Sequence, residues 1–177
     1  MDLFEAVAQR HSYRAGFRDN PVPREDLVKI VQAGIQAPSG CNAQTTTFVI
    51  VDDPAGIAAL ADIVGKQVVA EAKAVIVCVV HHRPVYQDKS FAVEDCSAAV
   101  ENMLLAITAL GYATVWLDGV LRAESRAAKI AELLGVPDDL EVRIVLPIGV
   151  PAEKWQQANK APFEHRAWFG RYGESGK

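Results

Sequence analysis

The stretch from Phe91 to Leu110 constrains the fold most strongly, because it has helical periodicity and is apolar around most of its circumference. Glu94, Asp95, Ser97, Glu101, Asn102 and Thr108 are gathered into one stripe, and the rest of the helix has to be covered. Each exposed leucine or isoleucine costs about 1.5–3 kcal/mol, so either a layered fold closes over this helix or a second copy covers what the fold leaves bare. At 177 residues the chain is long enough to build such layers within one domain over 1–177.

The flanking segments supply the layers. Asp2 and Glu5 have capping-box spacing, and Leu3, Phe4, Val7, Ala8 and His11 recur at helical intervals, which predicts a helix over 2–11. Leu27, Ile30, Val31, Gly34 and Ile35 predict a second helix that starts near Pro23 and is stopped by Ala37-Pro38-Ser39-Gly40. Phe48–Val51 and Ala74–Val80 are short apolar runs, read as strands buried on both faces, with weaker helices between them. A strand over Ala113–Leu117, a helix ending at Leu134 before Gly135 and Pro137, and a strand over Val142–Pro147 follow. After Val150 the chain turns polar and aromatic. The sum is mixed α and β, with helices covering a central sheet.

A net charge of −4 argues against a nucleic-acid partner, although it leaves room for a local basic pocket around one phosphate. Three scattered cysteines, Cys41, Cys78 and Cys96, make neither a disulfide framework nor a metal knuckle, so a reduced, cytoplasmic setting is expected. Cys41 reads as a packing residue. The acidic start is unlike a secretory leader, and the apolar runs fall short of the roughly 20 residues that span a bilayer, so no membrane partner is expected. His81 and His82 are adjacent at a strand end, where side chains diverge, and they read as surface residues. No two of the glycines have GxG spacing, so neither a Rossmann fingerprint nor a Walker loop is present and any dinucleotide would visit rather than reside.

Two short stretches carry chemistry. Arg10-His11-Ser12-Tyr13-Arg14 brings two guanidiniums and a hydroxyl together where the first helix ends. Forked arginines match phosphate oxygens, which makes a phosphate grip one reading; cations offsetting the helix C-terminal dipole are the other. Ala37-Pro38-Ser39-Gly40-Cys41-Asn42-Ala43-Gln44 is a helix stop rich in amide and backbone hydrogen-bonding groups. Asn42 and Gln44 each offer donor and acceptor, which suits the edge of a heteroaromatic ring, while an ordinary turn explains the same residues.

Taken together, the motifs resemble the nitroreductase family. Arg10, Ser12 and Arg14 match its Arg-x-Ser-x-Arg/Lys signature, and Pro38, Ser39, Asn42 and Gln44 match its Pro-Ser-x-x-Asn-x-Gln turn. The run from Asp95 to Leu105 looks like the family's long central helix, and Leu110-Gly111-Tyr112-Ala113-Thr114-Val115-Trp116 like its buried strand. Leu134-Gly135-Val136-Pro137 and Pro147-Ile148-Gly149-Val150-Pro151 extend the likeness to about residue 151. The resemblance implies an α+β, three-layer α/β/α sandwich with a mostly antiparallel sheet. It also implies FMN, with phosphate and ribityl chain held by Arg10, His11, Ser12 and Arg14 and the Asp118-Gly119 backbone beside flavin N5.

Pro38, Ser39, Gly40 and Asn42 would reach the same flavin from the partner of a homodimer, and Gln44 is a further cofactor-binding residue. Lys160 matches a basic tail residue on the phosphate by its distance to Tyr172. Thr45-Thr46 departs from the family, where a proline and an aromatic commonly follow the glutamine, and this alters the pocket wall. The implied activity is ping-pong transfer of hydride from NAD(P)H through flavin N5 to a nitroaromatic, quinone or similar acceptor, with no catalytic side chain. Relatives that reduce enones, dehalogenate or cleave flavin, and a protein that only stores FMN, are the alternatives.

Overall fold

The computed structural model describes residues 1–174. Helix α1, Leu3–Gln9, opens on the expected capping box: the Asp2 carboxylate accepts from the Glu5 amide at 2.9 Å and the Glu5 carboxylate from the Asp2 amide at 3.0 Å. It stops two residues before the predicted end, because Arg10 swings to φ −58°, ψ 126°. That turn releases the following residues as an extended segment. Helix α2, Arg24–Ile35, begins directly after Pro23, and the chain then passes a short turn of 3₁₀ helix at Gly40–Asn42.

Strand β1 is Thr46–Val51, followed by helices α3, Pro54–Val64, capped by Asp53, and α4, Gln67–Ala70. Next come strand β2, Ala74–Val80, helix α5, Ala92–Ala109, strand β3, Ala113–Thr114, helix α6, Arg126–Leu134, and strand β4, Glu141–Gly149. The sheet has the order β1-β2-β4-β3, and every neighbouring pair is antiparallel.

Alternation along the two inner strands separates two cores. Ala74, Ile76 and Cys78 of β2, with Ile144, Leu146 and Ile148 of β4, face α2 and α5, meeting Leu27, Ile30, Val100, Met103 and Ile107. Val75, Val77, Val79 and Val145 face the other way, onto Ile57, Leu60 and Val64 of α3 and Ile130 of α6. These are the layers of an α/β/α sandwich.

Two strand expectations need correction. β1 is a sheet edge whose only described ladder partner is β2, and of its residues only Val51 is buried, so it is not buried on both faces. The run Ala113–Leu117 is not a continuous strand. Val115 and Trp116 leave the ladder for opposite cores, and the chain returns at Leu117, which exchanges backbone hydrogen bonds with Val145 at 3.1 and 2.9 Å. Among the described residues, no helix is long and apolar enough to cross a membrane.

Candidate functional site

The early end of α1 shapes the first half of the site. Ser12 lies parallel beside Thr114, with the Tyr13 amide donating to the Thr114 carbonyl at 2.8 Å, so β3 fixes the register of residues 10–14. Arg10 sits 3.7 Å from the Glu101 carboxylate on α5, an ion-pair contact too long for a good hydrogen bond. Arg14 is exposed and among the described residues reaches only the Ser12 carbonyl, at 3.5 Å. His11 Nδ1 lies 2.7 Å from the Gln9 carbonyl, so in the neutral ring Nδ1 carries the proton and Nε2 is an acceptor. That Nε2 is buried without a hydrogen-bond partner among the described residues, which is costly unless something supplies a donor.

The second half is the loop after α2. Cys41, Asn42 and Gln44 all take left-handed backbone, at φ 50°, 53° and 50°, a conformation that side chains other than glycine adopt at a cost and that concentrates at functional sites. The Ser39 hydroxyl accepts from the Gln44 amide at 3.0 Å, and Arg83 donates to the Ala43 carbonyl at 2.6 Å. Gly40 rests on Phe91 so closely that an added Cβ would collide with the ring. Pro38, Ser39, Gln44, Thr45, Thr46 and Phe48 line a cleft of about 300 Å³. Cys41 is exposed, which overturns its reading as packing: the left-handed turn presents it outward.

The other candidates are spread around these two halves. Asp118 receives Arg122 through two hydrogen bonds, at 2.9 and 2.7 Å, and lies 3.6 Å from Arg143. The Asp118 pairing pushes the Arg122 guanidinium further up. Gly119 is exposed, with nothing within 4 Å of where a Cβ would stand, so its backbone is approachable. Lys160 is exposed and joins none of the ion pairs among the described residues. Its segment nevertheless passes the first half, because Gln157 donates to the Arg10 carbonyl at 2.6 Å and to that of Val7 at 3.3 Å. His81 and His82 face single carboxylates, Asp139 at 3.7 Å and Glu141 at 2.6 Å.

The Arg10 segment meets α5 at Glu101 and the loop meets it at Asp95, positions about 9 Å apart along the helix and about 120° apart around it.

A model of the nitroreductase family matches this chain over residues 7–82 and 65–150. The chain belongs to the nitroreductase family. An Archaeoglobus fulgidus protein with the provisional name NADH dehydrogenase/NAD(P)H nitroreductase is 33% identical over 155 residues, covering 86% of this chain and 87% of that protein. A crystal structure of a Bacteroides thetaiotaomicron protein with the same provisional name superposes with a TM-score of 0.84 at 26% identity, covering 96% of this chain and 98% of that one. The NADPH:FMN oxidoreductase of Vibrio harveyi, solved with NAD+, shares the fold at a TM-score of 0.82 and 24% identity, covering 98% of this chain and 79% of the other.

This nitroreductase-family enzyme, an oxidoreductase, builds its candidate site with residues that the motifs did not reveal. Asp95 does not lie on the solvent stripe of α5; it is 5% exposed and accepts from the Gly40 amide at 2.8 Å and the Thr45 hydroxyl at 2.6 Å. Tyr13, buried between the signature residues, donates to the Gly16 carbonyl at 2.6 Å and accepts from the amides of Ala152 and Glu153 at 3.0 and 3.3 Å. An acid within an apolar helix was the only sequence signal for Asp95. Gln157 and Arg83 carried none.

Proposed function

We propose that this protein is a cytoplasmic, homodimeric FMN oxidoreductase of one domain over 1–177, which oxidises NADH or NADPH and reduces a nitroaromatic, a quinone or a similar acceptor in alternating half-reactions. The observation that carries this reading is the Arg10–Arg14 segment, held in register on β3 with the buried, unpartnered Nε2 of His11 in its midst. An acceptor of that kind fits a hydroxyl of the ribityl chain, and the guanidiniums of Arg10 and Arg14 with the Ser12 hydroxyl fit a phosphate. The residues present therefore suit FMN.

FMN, when bound, would supply the hydride-transfer chemistry. The chain's own residues bind and orient. Arg10, Ser12 and Arg14 anchor the phosphate end, with Lys160 a further cation on the tail. The open backbone at Gly119 would be available to the ring, and the Asp118 carboxylate, already paired with Arg122, braces that turn. Pro38, Ser39, Gly40, Asn42 and Gln44 complete the site from the second subunit. The angular separation of Asp95 and Glu101 on α5 supports that division, since one chain presents its two halves on different faces.

The test is spectroscopic. Protein saturated with FMN is mixed anaerobically with NADH or NADPH, and the flavin band near the visible edge should bleach. A nitroarene or quinone should then restore it. A band that persists with both nucleotides would make the protein a flavin binder without this turnover.

A further inference from the structure

Resting on that reading, we propose that Asp95 is a positioning residue that fixes the flavin-facing loop Pro38–Gln44, and that it serves the flavin held by the partner's Arg10–Arg14 segment. An ionised carboxylate is acceptor-only and has two oxygens; here each takes one donor, from opposite ends of the loop. Oδ1 accepts the Gly40 amide at 2.8 Å and Oδ2 the Thr45 hydroxyl at 2.6 Å, so one side chain clamps the entrance and the exit of the turn.

The loop needs such a clamp. Three of its residues hold left-handed backbone, which persists only where the surroundings impose it. Phe91, one turn before Asp95, is the bed on which Gly40 lies, and the Phe91 carbonyl accepts the Asp95 amide at 2.8 Å. The start of α5 thus supplies both the floor and the clamp. At 5% exposed, Asp95 is shielded from water that would otherwise compete for its oxygens. Asp95 also lines the 300 Å³ cleft together with Ser39, Gln44 and Thr45, so the loop's shape and the cleft's wall depend on the same carboxylate.

The direction of action follows from α5. Asp95 and Glu101 point to different faces, and Arg10 is tied to the second of these. That separation fits the reading in which the loop serves the Arg10–Arg14 segment of a second copy.

The experiment measures FMN affinity by fluorescence titration, with circular dichroism to establish folding and visible circular dichroism to report the environment of the bound ring. Asp95→Ala removes both acceptors and should weaken FMN binding about tenfold or more. Asp95→Asn keeps one acceptor and can donate to the Thr45 hydroxyl, so it should recover most of the affinity and the wild-type flavin spectrum. Thr45→Val, which loses one bond, should fall between them.

Co-expression of differently tagged Asp95→Ala and Arg10→Ala chains then tests the direction. If Asp95 serves the partner's flavin, the heterodimer has one intact site and binds one FMN tightly, although each homodimer binds weakly. Two weak sites in the heterodimer would overturn action across subunits. A folded Asp95→Ala with wild-type affinity would overturn the positioning role, and if that variant misfolds, wild-type affinity in Thr45→Val does the same. Wild-type protein that ignores FMN would instead remove the underlying functional reading.

Discussion

At Tyr13 and Arg10, two neighbours in one short segment do opposite kinds of work. Tyr13 is fully buried and its hydroxyl serves three partners, joining the turn at Gly16 to the start of the tail at Ala152 and Glu153. Tyr13→Phe keeps the ring but strands the two amides, and should lower unfolding free energy by about 1–3 kcal/mol in urea titrations. An unchanged midpoint and slope would show that water replaces the hydroxyl at no cost. Arg10, by contrast, is a functional residue in the proposed reading, with its guanidinium near Glu101 and its carbonyl already committed to Gln157. A charge-assisted bond contributes about 1.5–3 kcal/mol, so Arg10→Ala should reduce FMN affinity roughly tenfold or more. Lys160→Ala should reduce it less, because a single flexible ammonium lacks the bidentate fork. Equal affinities for wild type and Arg10→Ala in a flavin titration would remove the phosphate role.

Elements were legible in the sequence where a local rule decides them. Helix α5 begins and ends within one residue of the apolar run that forecast it, and α1 opens on the capping box that Asp2 and Glu5 spell out. The end of α1 was not legible, since His11 keeps helical spacing although the chain has already turned at Arg10 to reach β3. Asp95 was misread for a similar reason: its partner Gly40 lies 55 residues away, and no local pattern distinguishes a clamped carboxylate from a solvated one. Tyr112, just beyond α5, illustrates the same distance effect and gives a pH test. Its hydroxyl donates to Asp26 on α2 at 2.8 Å, and burial, then the Asp26 carboxylate, push the phenol up to about 12. The folded state therefore holds this proton more tightly than the unfolded chain, whose tyrosines titrate near 10. The resulting stability is complete below about pH 10 and is lost as pH rises from about 10 to about 12. Asp26 runs the other way, held low by Lys29 first and Tyr112 second, and contributes stability that disappears as acid protonates it. Urea midpoints measured across the alkaline window should fall for wild type and fall less for Tyr112→Phe. Parallel curves for the two proteins would exclude Tyr112 as the titrating group.

For the whole molecule, the surface that α5 leaves uncovered has to be reconciled with water. Leu3, Phe4 and Val7 of α1 are 62%, 84% and 48% exposed, and Met1 is 57% exposed. Beside them Leu3, Leu105, Ala106 and Ala109 line an apolar groove of about 300 Å³. Apolar side chains exposed in this way are costly against water, and a second copy of the chain would cover them. If the loop that Asp95 holds completes the partner's flavin site, assembly and cofactor binding are linked, and FMN should stabilise the dimer by mass action. Leu105→Glu places a charge in the groove without touching any proposed flavin contact. It should shift the protein toward monomer and weaken FMN binding together, and excess FMN should draw part of it back to dimer. Circular dichroism must first show that the variant keeps native helix content. Sedimentation of wild type and Leu105→Glu with and without FMN then separates the cases, since a folded monomer that binds FMN with wild-type affinity would mean that one chain alone forms the site.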